Sequence, residues 1–153
     1  MKHLFTVLLT ALLSLPTMAG DFELDFLRNK DGTQTIIHNP EDWLLVSDTA
    51  GFDLLIDKSL TKEKKSIYLL HSVTILKPPR RFAGIEGITA RIYTNGVLMC
   101  DNAIVSLSGE FYTDKNGVII FYNAFEPGTY LVEVLTKNTA RNDVYNLLCK
   151  DSV

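Results

Sequence analysis

Ser66–Ile75 reads SIYLLHSVTI, and its alternation decides the fold. Ile67, Leu69, His71, Val73 and Ile75 fall on one side of an extended chain, while Ser66, Tyr68, Leu70, Ser72 and Thr74 fall on the other. A period of two is the signature of a strand, so this run predicts a long antiparallel strand with one mainly apolar face. Lys77-Pro78-Pro79-Arg80-Arg81 follows. Proline has no amide proton to give to a ladder, so the strand is expected to stop there.

The chain on either side is also β-rich. Trp43–Ser47 (WLLVS) and Phe52–Asp57 (FDLLID) are short apolar runs around Asp48-Thr49-Ala50-Gly51, a hairpin pattern. Lys62–Lys65 reads as a charged turn. Ile88–Tyr93 and Val97–Leu107 are strand-like and enclose Asn95-Gly96. That pair predicts either a type I′ hairpin or a bulge within one longer strand. Phe111-Tyr112 and Val118–Tyr122 flank Asp114-Lys115-Asn116-Gly117, a second hairpin. Pro127-Gly128 turns the chain, and Thr129–Leu135 alternates as a last strand or opens a longer helix.

Near the end the period changes. Asn138 suits a helix cap, and Asp143 lies near the positive end of the helix dipole. Ala140, Val144, Leu147 and Leu148 recur at helical spacing, with Tyr145 and Cys149 on an adjoining part of the face. Such a short helix is marginal alone and needs a sheet to cover. The expected fold is α+β: an antiparallel sheet of about six strands, with a C-terminal helix packed on one face and disulfide-linked to it.

Residues 1–19 read as an export signal. Lys2 and His3 precede the uncharged run Leu4–Leu15 (LFTVLLTALLSL), then Pro16 and the small-residue site Thr17-Met18-Ala19 before Gly20. The run is shorter than the roughly 20 residues a spanning helix needs, so no integral membrane segment is expected in the mature chain. Residues 20–42 read as a flexible lead-in with a short strand near Thr35–His38, and residues 43–150 as one domain. The exported part carries 14 basic and 18 acidic side chains, a balance that speaks against nucleic acid as a partner. Cys100 and Cys149 are the only cysteines, and in an exported chain an even pair is most simply a disulfide. A redox or metal pair is the alternative, though the spacing is not C-x-x-C.

Taken together, Trp43, the run Phe52-Asp53-Leu54-Leu55-Ile56-Asp57 and the long strand after it resemble the surface-adhesin protein E family of Gram-negative bacteria. So do Pro79-Arg80-Arg81-Phe82, Cys100-Asp101-Asn102, Phe111-Tyr112, Pro127-Gly128 and the terminal Cys149. The resemblance implies an exported antiparallel sheet whose C-terminal helix is tied down by a disulfide. It also implies binding of host matrix proteins such as vitronectin and laminin through the basic-aromatic stretch before the first cysteine. Carried onto this chain, that stretch is Arg80, Arg81 and Phe82, with Arg91 and Tyr93 further along. No cysteine adjoins the cleavage site, so no lipid anchor is expected.

No catalytic constellation stands out. Asp53 and Asp57 are read as solvent-facing, Asp114–Gly117 as a plain turn, and Asp101 as a hydrogen-bonded structural acid. His38 has no evident partner, and no metal set or cofactor is expected. His71, Tyr145 and Leu148 are candidates to line a groove between helix and sheet that holds a small apolar ligand. The leading expectation is a non-enzymatic exported binding protein, periplasmic or on the cell surface, contacting a protein or a polyanionic surface such as host matrix. The alternative is a periplasmic accessory protein using the groove. Edge strands also permit a homodimer.

Overall fold

A computed structural model describes residues 26–59, 62–64, 66–125, 131–135 and 141–150. The expected signal segment, the Pro127-Gly128 turn, Asn138 and Ala140 lie outside the described residues. In chain order the strands are β1 (Phe26–Arg28), β2 (Gln34–Ile36), β3 (Trp43–Asp48), β4 (Phe52–Asp57), β5 (Lys62–Lys64), β6 (Ile67–Arg80), β7 (Thr89–Met99), β8 (Ile104–Thr113), β9 (Ile119–Ala124) and β10 (Leu131–Val134). The α-helix α1 (Arg141–Cys149) follows. The main sheet is antiparallel in the order β10-β8-β7-β6-β4-β3; β5 pairs with β6 and β9 with β8 off this path.

The alternating run forms the centre of this sheet. β6 pairs with β7 without interruption from Ile67↔Met99 to Ile75↔Arg91, so side-chain parity is preserved across both strands. Even-numbered Leu70 and Leu98 face α1, in a core with Leu54, Ile56, Val105, Leu107, Val144 and Cys149. Odd-numbered Val73 and Tyr93 face away from the helix, in a second core with Ile36 and Trp43. Both faces are therefore covered, and the face of Leu70, not the one read as mainly apolar, carries the larger core.

Three local readings change. β6 does not stop at the prolines but runs on to Arg80. Its register jumps between Ile75 and Arg80, so Pro78 and Pro79 sit where no ladder proton is asked of them. Asn95-Gly96 is not a hairpin but the bulge option: β7 runs straight through it, and the register with β8 shifts there. Gly96 is needed because a Cβ at that position would meet the carbonyl oxygen of Ser106 at 2.6 Å. Finally, the Lys62–Lys64 segment is a short strand folded back on β6, not a bare turn.

The lead-in carries structure of its own from Phe26. β1 and β2 form a two-stranded antiparallel hairpin, and the Ile36 amide donates to the Gly117 carbonyl at 2.9 Å. Gly117 has φ +84°, and a Cβ there would meet the Ile36 carbonyl oxygen at 2.8 Å, so glycine both closes the β8–β9 turn and admits the hairpin. Asp114 completes that turn as expected, accepting from the Asn116 and Val118 amides. β10 settles the last segment as strand over Leu131–Val134, against β8.

α1 buries Val144 and Cys149, with Tyr145 and Leu148 packed against the core; Leu147, expected on that face, is turned outward. The Cys100–Cys149 disulfide is formed, with Cα atoms 5.4 Å apart, and joins the end of α1 to the turn that follows β7. Among the described residues no helix is long and apolar enough to cross a membrane.

Two stability measurements follow from these contacts. The Cys100→Ser/Cys149→Ser double variant should lose about 4 kcal/mol by urea denaturation, since the bond closes a loop of about 50 residues, and a loss under about 1 kcal/mol would contradict this. Gly96→Ala should lose about 1–3 kcal/mol, because a backbone carbonyl cannot swing aside as a side chain would; an unchanged urea midpoint would show the strands parting freely.

Candidate functional site

β6 is 14 residues long and α1 is nine. The strand spans about 45 Å and the helix about 13 Å, so the helix covers only part of its face. Its C-terminal end is pinned at Cys100, which places Arg141, at the other end, beside sheet left uncovered. There an open groove of about 270 Å³ is lined by Phe52, Leu54, Thr74, Leu76 and Ile92 from the sheet, with Arg80, Phe82 and Arg141 around them. Leu54 and Leu76 are nearly inaccessible and make an apolar floor.

The wall of the groove is aromatic and cationic. The Arg80 guanidinium carbon lies 5.3 Å from the Phe82 ring centroid, a cation–π contact. Phe82 meets Tyr112 edge-on at 5.8 Å, and Tyr112 meets Phe121 at 5.5 Å. The Tyr112 hydroxyl donates to Glu110 at 2.9 Å. Burial first, and that bond second, push its pKa up to about 12, so it stays protonated. Arg81, between Arg80 and Phe82 in sequence, is exposed. Lys77, the third cation of the stretch, is engaged elsewhere: its ammonium meets Asp48 at 3.0 Å and Asp53 at 2.5 Å, which raises its pKa.

The structure thus brings Arg80 and Phe82 together at the groove, leaves Arg81 exposed between them in sequence, and separates the other two residues assigned with them. Arg91 and Tyr93 belong to the opposite face, because odd positions of β7 point away from α1. Tyr93 is completely buried, so it offers no surface to a partner. The predicted helix–sheet groove is corrected in the same way. Tyr145 and Leu148 pack into the core under α1, whereas His71 shares the parity of Val73 and lies on the far face. His38, expected to lack a partner, stacks on Trp43 at 5.5 Å and meets Tyr93 edge-on at 6.0 Å. Asp101 is exposed and accepts from the Ser66 hydroxyl at 2.7 Å. Asp57 accepts from Ser59, and Asp53 is the half-buried partner of Lys77.

Arg141, Phe52, Leu76 and Ile92 were not recognisable as site residues in the sequence, since they come from four separate elements. Among the described residues no three histidine, cysteine or acidic side chains gather as a metal set. No family model matches the chain, and comparison with curated proteins finds no match.

Burial lowers the pKa of both His71 and His38 below the ordinary value; Asn95 and Asp57 oppose the shift at His71, and Asp42 opposes it at His38. The folded state therefore resists protonation that the unfolded chain accepts. Stability should fall as pH drops below about 6.5, and the part contributed by His71 should vanish in His71→Gln. Urea midpoints compared above and below that pH check this; an identical slope in the variant would remove His71 as a source.

Proposed function

We propose that this chain is an exported, non-catalytic binding protein of the surface-adhesin protein E type. Arg80, Arg81 and Phe82 make the contact, and the groove beside them receives an apolar side chain of the partner. The partner is a protein with acidic segments or a polyanionic surface, as in host matrix. The observation that carries this reading is the placement of Arg80 and Phe82 at the rim of an apolar-floored groove that also has Arg141 on its wall. Guanidinium groups pair with carboxylate and sulfate oxygens, and aromatic and arginine side chains anchor interfaces. The rim stands at the end of a disulfide-braced sheet, so little ordering entropy is lost on binding.

Binding of the purified mature chain to immobilised vitronectin and to heparin tests this. Arg80→Glu/Arg81→Glu should weaken binding by about tenfold or more, equivalent to about 1.4 kcal/mol per factor of ten, with an unchanged urea midpoint. Equal binding by variant and parent discards the site.

A second reading uses the same groove for a small apolar ligand in a periplasmic accessory role. Its support is the floor of Leu54, Leu76, Phe52 and Ile92. Native mass spectrometry of protein purified from its own envelope separates the two. A retained small molecule is expected under this reading, and none under the first.

A further inference from the structure

The face turned away from α1 carries a polar seam. Thr89, Arg91 and Tyr93 succeed one another on that side of β7, and β8 places Thr113 directly opposite Arg91. His38 lies over Tyr93, its ring held against Trp43. His38 Nδ1, Arg91 Nε, the Tyr93 hydroxyl and the Thr113 hydroxyl are all buried, and none reaches a partner with good hydrogen-bond geometry. The Arg91 side chain acts on the Tyr93 phenol both through its charge and as a neighbouring hydrogen-bond donor, and on the His38 imidazole through its charge, but neither Arg91 Nε nor the phenol O–H finds an acceptor. Buried polar atoms almost always find partners, so several unmet ones in one place call for a common explanation.

These groups share a chemistry. A guanidinium Nε–H only donates. The phenol, kept protonated by a pKa raised to about 12 through burial, can donate. The threonine hydroxyl and a neutral imidazole can each donate as well. No carboxylate pairs with Arg91 among the described residues; the acid that acts on this cluster is Asp42, whose pull on His38 is weaker than the push from Arg91. A water molecule would meet the donors but leave the charge uncompensated. An anionic oxygen meets both needs.

We propose that Arg91, Tyr93 and His38 form a binding site for a small oxyanion, a carboxylate or a phosphate, on the face opposite the Arg80–Phe82 groove. Arg91 and His38 are each partly exposed and form the entrance, and fully buried Tyr93 is the floor. The site is independent of the proposed partner contact, so charge reversal at Arg80 and Arg81 leaves it intact.

NMR titration of the His38 ring in the mature chain tests the site, with sodium acetate or inorganic phosphate compared against chloride at matched ionic strength. A bound anion relieves the repulsion from Arg91, so the His38 midpoint should move upward saturably with at least one probe while that of His71 stays put. Acetate alone identifies a planar carboxylate site, and phosphate alone a tetrahedral one. Arg91→Gln should abolish the shift. Tyr93→Phe, which keeps the ring in the core, should weaken binding by about fivefold through loss of one neutral hydrogen bond. No saturable movement with either probe, or an equal movement in Arg91→Gln, overturns the proposal.

Discussion

The ladder between β6 and β7 is the constraint on which the remaining structure depends. It runs from Ile67↔Met99 to Ile75↔Arg91 without a slip. A slip of one residue would send every side chain to the opposite face. Because it holds, Leu70 and Leu98 meet the helix while Val73 and Tyr93 meet the N-terminal hairpin. Two cores then share one central pair of strands, and each neighbouring strand inherits its sidedness from them. Register shifts fall beyond this ladder or in other pairings: past Ile75 between β6 and β7, beside Gly96 between β7 and β8, and in the β3–β4, β5–β6 and β8–β9 pairings.

The helix is an accessory to that sheet. Nine residues contribute little helical stability alone. Burial of Val144 and the bond from Cys149 to Cys100 hold it. The same bond determines which part of the sheet stays open. Pinning the C-terminal end at Cys100 leaves Arg141 beside Phe52, Leu76 and Ile92, so the groove is a consequence of helix length and anchor point together. The Lys77 pairs with Asp48 and Asp53 brace the β3–β4 turn against β6 nearby. Such exposed pairs add little stability, and their evident effect is to withdraw Lys77 from the basic stretch, leaving the two arginines and Phe82 as its outward chemistry.

Both faces of the sheet thus carry arginine chemistry of different kinds. On the helix side, Arg80 rests on an aromatic ring at an open, apolar-floored groove. On the hairpin side, Arg91 is half-buried among hydroxyls and an imidazole. The first arrangement suits an extended partner that covers surface. The second suits a compact group that enters a seam. Residues eleven apart in sequence therefore lie on opposite faces: Arg80 lines the groove beside Arg141, and Arg91 shares the face of Val73 and Tyr93.

Local rules in the sequence were enough for the strand at Ser66–Ile75, the turns at Asp48–Gly51 and Asp114–Gly117, the C-terminal helix and the cysteine pair. Alternation, positive φ and helical spacing act over a few residues, and an even cysteine count needs no geometry. Arg80, Arg81 and Phe82 could be singled out because they are contiguous, and the structure adds that Arg80 and Phe82 border the groove. Only the tertiary structure decided that β6 continues past its prolines, that His71 and Tyr93 turn away from the helix, that His38 joins Trp43, and that Arg141 borders the groove. Alternation divides a strand into two sides without saying what will cover either one. The cover comes from segments distant in sequence, the Phe26–Ile36 hairpin on one side and Arg141–Cys149 on the other, and their docking is a matter of packing that no local pattern encodes.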